Sequence, residues 1–180
     1  MDSVNAIDRN NFMVLILWGL VFAKCLTLEY LIQVYSIPIN SFFYIWSLTL
    51  IMASVATIAF FRTRTTKINH TETTPIAHLI WFGCVIASIL LVGILSSLTE
   101  LSRYVIPAIL SIVLGVGYLG HGICERKNRY TVSGIGWWIG ATVLAARNNV
   151  ENLSIFAFLI ILLIVLPLII EMRQQKKAFV

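Results

Sequence analysis

The feature that most constrains this chain is a succession of six apolar stretches joined by short connectors, the longest of them 62–75. A helix that crosses a bilayer needs about 20 apolar residues at a rise of 1.5 Å each. The stretches 12–33, 42–61, 76–96, 104–123, 130–146 and 153–170 meet or approach that length. Within 180 residues they leave no room for a separate soluble domain. Composition agrees, since 59% of residues are hydrophobic and 12% are charged, about half the charged fraction of a soluble domain. The expectation is an all-α integral membrane bundle of six transmembrane helices, forming a single domain.

Basic residues set the orientation, because cytoplasmic connectors accumulate Lys and Arg. Arg9, the trio Arg62, Arg64 and Lys67, the trio Arg126, Lys127 and Arg129, and the tail residues Arg173, Lys176 and Lys177 share one face if six helices alternate. The opposite face holds only Arg103 and Arg147. This split of ten to two places both termini in the cytoplasm. It also requires a crossing at 130–146, the shortest stretch. The chain has the general look of small multipass proteins of bacterial inner membranes, which is a class and not a family.

Other readings have little support. The net charge of +5 is dispersed among membrane-adjacent connectors, which suits anionic lipid headgroups rather than nucleic acid. The leader before 12 carries Asp2 and Asp8 against Arg9, the wrong balance for a signal peptide. Cys25, Cys84 and Cys124 form no CxxC pair and no closely spaced framework. Asn69-His-Thr and Asn152-Leu-Ser match the glycosylation sequon. The first falls in a cytoplasmic connector and the second lies against the membrane, so neither is expected to be used. The three hairpins share a plan of tight outer turn and basic inner end, without repetition at the level of residues.

Lipid supplies no hydrophobic force between helices, so close packing relies on small residues. Gly136 and Gly140 form such a pair on the fifth stretch, with Ser133 and Gly134 one turn earlier. Ser111 and Gly115 have the same spacing on the fourth. These two stretches are expected to form a tight antiparallel hairpin.

A charge in hydrocarbon costs about 2.5–3.5 kcal/mol on insertion scales, so each one asks for a reason. Lys24 falls near the middle of the first stretch, and Glu29 follows about 7.5 Å further along. They stand about 140° apart around the helix, so each needs a partner elsewhere or a shared polar cavity. His78 opens the third stretch and His121 closes the fourth, at similar depth on consecutive helices. Cys124 follows His121 by three residues and shares its helical face. These three side chains are candidates for a transition metal or haem or for acid–base work with Glu125, although polar side chains at headgroup level are the commoner explanation. No catalytic motif, phosphate loop or metal signature is present.

Three functions follow. The first is a regulatory, sensor or accessory membrane subunit that acts through helix–helix contacts, with itself or with another membrane protein. The second is a small oligomeric transporter or channel with Lys24 and Glu29 on its path. The third is a membrane enzyme or redox protein using His78, His121 and Cys124.

Overall fold

The computed structural model describes residues 2–39, 42–63, 75–97 and 103–177, with side chains described for 13–39, 45–59, 79–91, 94 and 104–174. All regular structure among the described residues is helical. The helices are α1 (Asp2–Val34), α2 (Leu48–Thr63), α3 (Pro75–Ser97), α4 (Ile106–Glu125), α5 (Asn128–Arg147), α6 (Glu151–Ile160) and α7 (Leu166–Lys177). A π-helical turn, Phe42–Ser47, leads into α2, and a second, Ile161–Val165, joins α6 to α7.

Among the described residues, three helices have the length and apolar composition to cross a bilayer: Met13–Val34, Ile106–Glu125 and Glu151–Gln174. That is fewer than the six expected. The second and third expected stretches contain shorter apolar segments, Ile45–Ala59 and Leu79–Leu91. The fifth lies within α5, where Thr131, Ser133, Thr142 and three glycines dilute the apolar character.

The ends of these helices follow from local chemistry. Helix α4 closes at Arg126, whose φ of 52° is left-handed. The Arg126 N–H donates to the Ile123 carbonyl and the Lys127 N–H to the Gly122 carbonyl, satisfying acceptors that a helix end otherwise leaves open. Helix α5 ends at Asn148 with φ 39°, a conformation that Asn tolerates better than most residues. The next residue, Asn149, starts α6 by accepting the Glu151 N–H on its side-chain oxygen at 3.1 Å. Two adjacent asparagines thus make the whole reversal.

The last helical stretch runs well past Pro167, where the sixth apolar stretch was expected to be near its end. Proline has no N–H and its ring crowds the carbonyl four residues back. The wider π-helical turn Ile161–Val165 immediately precedes Leu166-Pro167 and absorbs that misfit, so the helix continues to Lys177.

The chain divides into two compact units, one formed by Met1–Thr71 with Ile160–Val180 and the other by Glu72–Leu159. In the first, α1 is the hub. Gly19 lies so close to the π-helical turn that a Cβ there would meet Val165 Cγ2 at 2.9 Å. Trp18 Nε1–H donates to Thr57 Oγ1 of α2 at 3.1 Å, and Phe22 packs against Trp46. Ala23, Cys25, Leu26, Ala53, Val165 and Leu168 are buried around these contacts.

In the second unit, α4 and α5 form an antiparallel hairpin. A Cβ on Gly134 would sit 2.9 Å from the Leu119 nitrogen and 3.0 Å from the Gly115 oxygen. Backbone therefore approaches backbone directly, as small residues allow. Helix α3 joins through Trp81 and Cys84, both against Gly117. Helix α6 joins through Phe156, edge-on to the fully buried Trp137 at 5.7 Å.

Candidate functional site

Lys24 occupies the middle of the Met13–Val34 segment of α1, and its side chain is exposed. Among the described residues it has no ion-pair partner. Its neighbour Cys25 is fully buried, so Lys24 stands on the side of α1 turned away from the unit. Glu29 is half-buried and accepts a hydrogen bond from Gln33 Nε2 at 2.9 Å, one turn along the same helix. Thr27, between them, donates to the Ala23 carbonyl at 2.8 Å. Lys24 and Glu29 are therefore engaged differently: Glu29 has a local partner and Lys24 has an open surface.

His121 belongs to an aromatic cluster where α4 turns into α5. Its imidazole meets the Tyr130 ring edge-on at 4.6 Å, and Trp81 lies 6.4 Å away. Trp81 meets Tyr118 edge-on at 5.2 Å, and Tyr118 packs on Tyr130 at 6.2 Å. These offset and edge-on arrangements match the ring quadrupoles and hold the turn firmly. Lys127 adds its ammonium 5.8 Å from the centre of the Tyr130 ring. Glu125 stands one turn after His121, and its buried Oε1 has no hydrogen-bond partner among the described residues.

Cys124 is half-buried on the same helix. His78 lies in the first turn of α3, and its side chain falls outside the described residues. Among those described, no group of three or more His, Cys, Asp or Glu side chains is placed to hold a metal ion.

The expected packing residues take different places. Ser111 is fully buried and donates to the Pro107 carbonyl at 2.8 Å. Gly115 faces α5, with its would-be Cβ against the Trp138 ring and 3.1 Å from the Gly134 oxygen. Gly140 faces Leu159 of α6, and Gly136 is half-buried. The glycine of α5 that meets α4 is Gly134, two residues before the Gly136/Gly140 pair. Beside this contact runs an apolar groove of about 520 Å³, lined in part by Ala108, Ile112, Trp138 and Ala141. Trp138 Nε1–H is spent on the Ile112 carbonyl at 3.3 Å, and Thr142 Oγ1–H on the Trp138 carbonyl at 3.1 Å.

Two polar residues carry weight that sequence reasoning did not give them. Asn152 is fully buried, and its side-chain N–H groups donate to the Leu144 carbonyl at 2.7 Å and the Tyr104 carbonyl at 2.9 Å. One amide thus ties the end of α5, the approach to α4 and the start of α6. The nitrogen that a sequon would present to glycosylation is the one engaged. Glu171, 5% exposed on α7, is the other. The available signal was an uncharged amide and a carboxylate set at the two edges of the most apolar stretch.

At the same end of the second unit as Asn152, Arg147 and Glu151 pair at 2.8 Å with both side chains about half exposed, a surface pair of small energetic weight. Arg103 lies in a short helical turn with its side chain outside the described residues, as does the whole of Glu100. The Asn69 sequon and the basic residues Arg64 and Lys67 also fall outside them. No family model, no curated protein and no solved structure matches the chain.

Proposed function

We propose that this chain is an integral membrane bundle of six transmembrane helices with both termini in the cytoplasm, serving as a non-catalytic regulatory, sensor or accessory subunit through helix–helix contacts. One observation carries the reading: side chains are sorted in reverse of a soluble protein. Leu79, Phe82, Val132 and Ile123 are between 65% and 71% exposed, while Ser111 and Asn152 are fully buried. Water does not tolerate apolar exposure along every helix, whereas lipid does.

Helix lengths support the higher count of crossings. Residues 42–63 are helical throughout, α3 has 23 residues and α5 has 20, each about 30 Å or more at 1.5 Å per residue. The ten-to-two distribution of basic residues supports the alternation. Among the three functions, the accessory role is favoured by Lys24. A pathway in an oligomer needs Lys24 and Glu29 of each copy to face a common lumen, yet they diverge by about 140° around the helix and Glu29 is bonded along its own helix.

Topology is tested by maleimide labelling of the otherwise cysteine-free protein in sealed vesicles. A cysteine at Ser102 should label from the non-cytoplasmic side only, and cysteines at Lys67 and Gln174 from the cytoplasmic side only. Labelling of Ser102 and Gln174 from the same side, or release of the protein by alkaline carbonate, overturns the reading.

A further inference from the structure

The exposed side of α1 carries a regular pattern. Leu17, Leu20, Lys24, Thr27, Leu31 and Val34 are all exposed, at alternating intervals of three and four residues. This 3.5-residue repeat keeps one stripe facing a partner helix along its whole length, and a single polar residue within it selects the partner. Other sides of α1 meet Val165 at Gly19 and Thr57 at Trp18, while Leu15 and Phe22, off the stripe, are exposed as well.

Lys24 stands at its centre, eleven residues after Met13 and ten before Val34. Lysines near helix ends reach the interface by extending along the helix, and Lys24 is too deep for that. An ammonium at this depth is matched best by a carboxylate. The chain does not supply one at that level. Of its eight acidic residues, Asp2, Asp8, Glu72, Glu100, Glu125, Glu151 and Glu171 lie at the ends of apolar stretches or between them. Glu29 lies about 7.5 Å further along and holds Gln33. A second copy, parallel in the same membrane, brings Lys24 opposite Lys24.

We propose that this stripe docks a transmembrane helix of a different protein, one carrying an Asp or Glu near the bilayer centre, level with Lys24. The proposal rests on the reading of the chain as a membrane accessory subunit and names the class of its partner. The leucines supply a van der Waals seam, Thr27 gives a small surface beside the charge, and the Lys24–carboxylate pair fixes depth and identity. Among the described residues Lys24 has no counter-charge, and association supplies one.

The test uses full-length protein with a donor fluorophore on its C-terminus, in phosphatidylcholine vesicles. The probe is an acceptor-labelled synthetic polyleucine helix with one central aspartate, compared with the same helix without it. The aspartate probe should associate about tenfold more tightly by energy transfer. Lys24→Met should abolish that difference and Lys24→Arg should keep it, with circular dichroism and gel filtration reporting that both variants fold. Equal association of the two probes, or an aspartate preference that survives Lys24→Met, overturns the proposal. Energy transfer between labelled full-length copies that depends on Lys24 assigns the stripe to a second copy and overturns it as well. So does a photocrosslinker at Leu20 that reacts only within its own chain. Failure of the broader reading is visible separately, as carbonate release or same-side labelling. A correctly inserted protein that treats both probes alike loses the docking proposal alone.

Discussion

In the α4–α5 hairpin, the Gly134 and Gly115 backbones lie against one another and the neighbouring indole donates to a carbonyl across the contact. Along the outer side of α1, leucines and a lysine stand exposed at even intervals with no comparable contact. Both regions are helical, yet one buries its specificity in missing side chains and the other displays it in present ones. The difference teaches what each is for. Contact that depends on absent atoms is made once, during folding. A patterned surface with an unmatched charge is suited to contact made afterwards, with another molecule.

The largest effect should come from filling the hairpin. Gly134→Leu sets a branched side chain where even a Cβ meets backbone nitrogen and oxygen at 2.9 and 3.0 Å. These atoms cannot rotate away, so the helices must separate, at a cost of about 3 kcal/mol. Unfolding in mixed dodecyl maltoside and SDS micelles measures this, and a loss under about 1 kcal/mol would mean that the hairpin is not held by close approach.

Asn152→Leu comes next. It removes both side-chain donors and leaves the Leu144 and Tyr104 carbonyls short of a bond. The Leu144 carbonyl also accepts the Asn148 N–H at 3.2 Å, which limits the damage, so about 1.5 kcal/mol is expected in the same titration. A cost as large as that of Gly134→Leu would make the amide clasp, rather than the glycine contact, the main fastening of this unit.

How much of this was legible varies with the kind of information involved. That the fourth and fifth stretches would pair was visible in their small residues, because such residues at helical spacing have few other uses in lipid. Which glycine would meet which helix was not, since that depends on rotation of each helix about its axis. Gly140 turned to Leu159 of α6 and Gly134 to α4, and a spacing rule sees them alike. Lys24 could be placed in depth from its position in the stretch, but the direction of its side chain follows from which sides of α1 the Gly19 and Trp18 contacts occupy. His121 and Cys124 shared a helical face as spacing requires, while the rings of Trp81 and Tyr130 that surround the imidazole come from separate helices. Asn152 resembled a connector residue because an asparagine beside a turn is common. Pro167 resembled a stop because the π-helical turn that accommodates it leaves no mark in an apolar run of Ile, Leu and Val.

The smallest effect is expected on α1, and it tests the comparison from its other side. Leu20 is 47% exposed, so Leu20→Ala in the purified protein should cost no more than about 0.5 kcal/mol, as for other substitutions away from a packed core. Truncating a leucine in a filled site costs about 2–5 kcal/mol instead, because a cavity is left behind. These outcomes are well separated. A small loss in detergent, joined to weaker association with the aspartate-bearing helix in vesicles, is what a surface waiting for a partner produces. A loss in the core range would mean that Leu20 is already covered in the isolated protein. The stripe on α1 would then be part of the fold, and Lys24 would have its counter-charge within the same molecule.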